Sequence, residues 1–120
     1  MNNNKNSKPY NLEDRTLEFS KEMIRVGKQL PKNTINFNLL DQVIRSGTSM
    51  GSNYREANET ETKKDFQFRM RICRKEGKET IYWLQLIIEA NPELADRVTP
   101  LIKEATELVK IFAAIIEKTK

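Results

Sequence analysis

The chain has 120 residues, 38% apolar and 32% charged, with a net charge of +4 and no histidine. That length suits a single domain, and the apolar share is too high for wholesale disorder. The missing histidines exclude His-based acid–base catalysis, Ser-His-Asp triads, most zinc sites and the Glu-x-x-His di-iron sites of ferritin-like bundles.

Residues 1–9 (MNNNKNSKP) are polar and lack apolar periodicity, so they are expected to form a disordered tail ahead of a domain over residues 10–120. A first helix is expected from about Leu12 to Leu30. Leu12, Thr16, Phe19, Met23, Val26 and Leu30 alternate four-and-three spacing, Asn11 is a candidate N-cap, and Pro31 should end the helix.

A second helix should begin within Asn33 to Asn38 and reach about Asn58, with Asn38 and Asp41 as one cap option. Val43, Gly47, Met50, Tyr54 and Ala57 form an apolar or small line. Gly47 and Gly51 each cost about 1 kcal/mol in a helix interior. Lying four apart, they offer a smooth strip for another helix. Arg45, Ser49, Asn53 and Glu56 stack along an adjacent side. Such a line, with Glu79 added from the third helix by the resemblance described below, is expected to hold a buried polar network or a partner.

The third helix is expected from about Lys63 to Ala90, capped by Thr62 with Asp65. Phe66, Met70, Cys73, Gly77, Thr80, Leu84 and Ile87 make its inner seam. A wheel at 100° per residue gathers Phe68, Ile72, Trp83 and Leu86 away from that seam, which marks them as a candidate subunit interface. Between the two apolar faces lie Lys63, Lys64, Arg71, Arg74, Lys75 and Lys78, and Tyr82 continues the line. From Lys63 to Lys78 there are seven basic and two acidic residues, a local balance of +5 against +4 for the whole chain. These residues are the candidate nucleic-acid contacts, with Tyr82 able to stack on a base.

Asn91-Pro92 marks a turn. The fourth helix should reach about Lys118 on a seam of Leu94, Val98, Leu101, Ala105, Leu108, Phe112 and Ile115. Pro100 either kinks this helix or restarts it after a Thr99 cap. Four helices with short connections imply an all-α, antiparallel up-down-up-down four-helix bundle, oligomeric through the third helix.

Signals for catalysis are sparse. Ser46-Gly47-Thr48-Ser49-Met50-Gly51 lacks the spacing and the Lys of a phosphate-binding loop. Cys73 reads as a buried packing cysteine rather than a nucleophile, and the helix carboxylates read as ion-pair partners. No metal and no cofactor are expected. One cysteine allows no intrachain disulfide and fits a reducing compartment. With no secretory leader and no apolar run near ~18 residues, the protein is expected to be cytoplasmic, without a membrane partner.

The stretch Asp41-Gln42-Val43-Ile44-Arg45-Ser46-Gly47-Thr48-Ser49-Met50-Gly51-Ser52-Asn53-Tyr54-Arg55-Glu56-Ala57 resembles the second-helix signature of a known family. Lys63-Lys64-Asp65-Phe66 and Cys73-Arg74-Lys75-Glu76-Gly77-Lys78-Glu79-Thr80-Ile81-Tyr82-Trp83-Leu84 resemble its third helix. This is the bacterial four-helix-bundle family named for the intervening sequences of 23S ribosomal RNA genes. More distantly, the chain is similar to the accessory variability protein of diversity-generating retroelements. The resemblance covers roughly Leu12 to Ile116 and implies a ring, a homopentamer. It also implies that Arg45, Ser49, Asn53, Glu56 and Glu79 serve as a structural polar network. The family's "ribosomal protein" label does not imply ribosome membership. The expected function is a non-catalytic homo-oligomer that binds RNA or DNA through its basic face. The alternative is a protein-interaction scaffold or accessory subunit with a protein partner and no nucleic acid.

Overall fold

The computed structural model describes residues 11–120, so the expected disordered tail lies outside the described residues. Four helices follow one another: α1 (Leu12–Gly27), α2 (Thr34–Asn58), α3 (Lys63–Ala90) and α4 (Ala95–Lys118), with a 3-10 turn at Pro92–Leu94 before α4.

Side-chain caps set three of the four starts. Asn11 accepts from the Asp14 N–H at 3.1 Å, Asn33 from Asn36 at 2.8 Å and Thr62 from Asp65 at 3.0 Å. Each satisfies an N–H that has no partner inside its helix. Asn33 therefore caps α2, and the Asn38–Asp41 option lies within that helix.

Two boundaries differ from the sequence reading. α1 ends at Gly27 rather than Leu30, because a residue before proline is pushed out of the α region. The chain turns there, with the Leu30 N–H on the Gly27 carbonyl at 3.2 Å, and the Leu30 side chain still reaches the core. At the other end, α4 begins at Ala95 and runs through Pro100 without a restart. Thr99 caps nothing. Its hydroxyl donates back to the Ala95 carbonyl at 2.8 Å. Pro100 lies near the helix start, where its missing N–H removes one hydrogen bond.

The helices form a bundle in which chain neighbours pack together and α1 closes on α4. Cross-links show the alternating directions. Glu13 at the start of α1 meets Arg55 at the end of α2 (3.4 Å), and Asn36 early in α2 meets Asn91 just past α3. Gln67 early in α3 donates to the Ile116 carbonyl late in α4 and also bonds Thr119.

The core holds Met23, Met50, Met70, Leu84, Leu108, Phe112 and Ile116, all almost fully buried. The predicted seams of α1, α2 and α3 point into it. Only Phe66 and Tyr54 stop half-buried. The glycine strip faces α1. A Cβ on Gly47 would sit 2.3 Å from the Met23 methyl, and one on Gly51 would lie 3.0 Å from the Thr16 hydroxyl. The absent side chains let α1 approach, which offsets their helix-propensity cost.

Candidate functional site

The cations of α3 form one face. Lys63, Lys64, Arg71, Lys75 and Lys78 are exposed and Arg74 is half-buried. Their seven-, four- and three-residue spacings stack them along the long, unbroken helix. Lys75 pairs with Glu76 at 3.6 Å, Arg71 donates to Gln67 at 3.2 Å and Lys63 to the Lys120 carbonyl at 3.2 Å. Among the described residues, no carboxylate lies within 4.0 Å of Lys64, Arg71, Arg74 or Lys78.

One acid from α4 borders this face. The Lys120 ammonium, at 2.9 Å, holds the Glu117 carboxyl below its ordinary range, and Arg71 and Arg74 add to the effect. Tyr82 is 55% exposed and rests edge-on against Trp83, with ring centroids 5.0 Å apart. The arrangement can neutralise phosphates along about one helix length, and it leaves one aromatic ring accessible.

The polar line of α2 lies on a different surface, the outer α2/α3 face. Of the expected polar network, part forms within the chain. Asn53 donates to the Ser49 hydroxyl at 2.8 Å and accepts from Arg69 at 2.9 Å. Arg45 is exposed and pairs with Asp41 at 3.3 Å, while Glu56 and Glu79 are exposed. One residue is 100° of helix rotation, and that offset decides the outcome. Ser46, not Arg45, points at α3, and its hydroxyl accepts from Thr80 at 2.9 Å in the core.

Phe68, Ile72, Trp83 and Leu86 border the same α2/α3 face. Phe68 is 60% exposed, and Glu56, Glu59, Thr60, Asp65 and Arg69 share its cavity. Ile72 and Leu86 are half-buried. Trp83 packs partly on the core, and its indole N–H is covered with no acceptor among the described residues.

Two further features carried no local signal. The buried Asn36 and Asn91 exchange reciprocal amide bonds, both 2.9 Å. Between α1 and α4 lies a groove of about 430 Å³ over Phe19, Pro100 and Leu101, bridged by Arg15 and Glu104 at 2.6 Å.

Cys73 is fully buried, and its thiol donates weakly to the Met50 carbonyl at 3.5 Å. Burial pushes the thiol up to about 12. Among the described residues no cluster of His, Cys, Asp or Glu could hold a metal ion, and no helix is long and apolar enough to cross a membrane.

Residues 10–114 match the family described as 23S rRNA-intervening sequence protein. A crystal structure at 1.70 Å of a protein of unknown function from the S23 ribosomal protein family of Bacteroides thetaiotaomicron is similar. The two chains share 34% identity, with a TM-score of 0.79 over 87% of this chain and 96% of that one. No curated protein matches this chain. With the fold and most of the sequence covered, the chain belongs to the 23S rRNA-intervening sequence protein family.

Proposed function

We propose that this protein is a non-catalytic, self-assembling bundle that binds RNA or DNA through the outer face of α3. The observation that carries the reading is the exposed row of Lys63, Lys64, Arg71, Lys75 and Lys78, in which, among the described residues, only Lys75 pairs with a carboxylate side chain. Exposed cations held on a rigid helix present phosphates with a fixed line of contacts. Each contact is weak. A ring of several copies, five by the family resemblance, repeats the row and sums its contacts. Phe68, Ile72 and Leu86 supply apolar surface for that assembly on the outer α2/α3 face. The reading places the protein in the cytoplasm, where its lone thiol stays reduced.

The test is charge reversal at two exposed positions, Lys75→Glu with Lys78→Glu. Binding to a labelled structured RNA and to a DNA duplex should fall at least tenfold at low salt, while the assembled mass is unchanged. Undiminished binding would overturn the assignment of this face. A scaffold reading has its own support in Ile35 and Phe37, 63% and 65% exposed at the start of α2. It requires a protein partner and is favoured if the unaltered protein binds no nucleic acid.

A further inference from the structure

The groove between α1 and α4 has no part in the α3 reading, and its construction is regular. Two ion pairs cross it, Arg15 to Glu104 at 2.6 Å and Arg97 to Glu22 at 3.6 Å. On each helix the two anchors are seven residues apart, so the bridges stand about two turns, or ~10 Å, from each other. Phe19 on α1 and the Pro100–Leu101 pair on α4 fall midway between them and also line the groove. Phe19 and Leu101 are each 3% exposed and form the floor, while Pro100 is exposed at the wall. The result is a trough of about 430 Å³ with an apolar floor and an ion pair at either end.

We infer that this trough binds a small organic cation, an ammonium or amidinium group carried on a compact apolar body. Size, floor and charge each support that class.

The volume lies within the range of about 300–1,000 Å³ typical of small-molecule sites. Bridges at both ends suit a molecule about as long as the ~10 Å between them. They do not suit a peptide, which must run on past both ends. An aryl or alkyl body laid over Phe19, Pro100 and Leu101 leaves water for an apolar surface.

Charge selects the other end of the ligand. Glu18 and Asp96 line the trough beside the two bridges, which makes four carboxylates against two guanidinium groups in a chain of net charge +4. Among the described residues, no cation lies within 4.0 Å of Asp96. Glu18 meets Arg25 at 3.4 Å, and Arg25 lies closer to Glu22, at 3.0 Å. Both arginines of the trough already face carboxylates, so an anion would have to compete with Glu22 and Glu104. Pro100 adds an acceptor. It carries no N–H, and so leaves the Asp96 carbonyl without the usual donor four residues on. An ammonium at this end can donate to both the carboxylate and the carbonyl of Asp96.

The test titrates three probes of one shape, phenylbutylamine, phenylbutanol and phenylbutyrate, into the unaltered protein by calorimetry at neutral pH. The amine should bind saturably, the alcohol about fivefold more weakly, and the carboxylate more weakly again. Pro100→Trp fills the trough from an exposed position and returns an N–H to the helix. It should lose amine binding while its Tm holds or rises. Glu18→Gln with Asp96→Asn should lower the amine to the affinity of the alcohol and leave the alcohol unchanged. A general structural effect would weaken both. The site is overturned if the amine shows no saturable binding or if Pro100→Trp binds it undiminished. The cation preference is overturned if amine and carboxylate bind alike, or if the doubly amidated variant still prefers the amine.

Discussion

Replacing Asn36 by leucine tests a buried polar contact between residues 55 apart in the sequence. The Asn36 amide donates to the Pro31 carbonyl at 2.8 Å and to Asn91 at 2.9 Å, and it accepts from Asn91 at 2.9 Å. Leucine removes all three bonds. The Pro31 carbonyl and the Asn91 side-chain oxygen are left without these partners, while the Asn91 N–H keeps the Ile87 carbonyl at 2.9 Å. An orphaned buried acceptor costs ~1–3 kcal/mol, so the single substitution should cost about 3 kcal/mol. For a domain of this size that lowers the Tm by roughly 10 °C or more. Asn91→Leu should cost a similar amount. The double variant should cost about 2 kcal/mol less than the sum, because replacing both partners leaves fewer orphans. The assay is thermal and urea unfolding of all four proteins at one protein concentration, since assembly makes Tm concentration-dependent. Singles that shift the Tm by less than about 3 °C, or a double that is strictly additive, would show that the two amides do not stabilise the fold as a pair.

Other expectations follow from single contacts. Gly77→Ala should destabilise by about 1–2 kcal/mol despite its gain in helix propensity. Its Cβ would meet the stiff Val109 side chain at 2.6 Å, and a stability gain in urea unfolding would contradict this. Cys73 should resist thiol reagents at pH 8 in the folded protein and react once urea unfolds it. Its thiol is raised from 9.0 to about 12, so the unfolded chain loses the proton first as pH rises. The stability that Cys73 contributes is then full below pH 9 and falls between 9 and 12, a loss that Cys73→Ala should lack. Asn53→Leu removes the acceptor at 2.9 Å from half-buried Arg69 and should cost about 1–3 kcal/mol in thermal unfolding. Unchanged melting would show that the contact contributes nothing.

Much of the fold was legible because each helix carries its own start signal and its own stripe. Thr62 with Asp65 and the seam from Met70 to Ile87 mark α3 within its own sequence. The end of α1 was not, since Leu30 keeps the helical spacing and reaches the core from a turn. Rotation was the harder quantity. The pattern of α2 has polar residues on two adjacent sides, and only the packed partner shows that Ser46 rather than Arg45 faces α3. Asn36 and Asn91 are 55 residues apart, and no local pattern signals such a pair. The basic face was readable because most of its acids are absent from the sequence around it.

Contact between the α3 cations and phosphates has a direct signature in the salt dependence of binding. A labelled structured RNA and a matched DNA duplex are titrated with the unaltered protein at several salt concentrations. Log K should fall linearly with log salt by about 0.7 to 0.9 per phosphate contact, and the fall should be shallower in Lys75→Glu with Lys78→Glu. No binding at ~50 mM salt, or binding indifferent to salt, would contradict it.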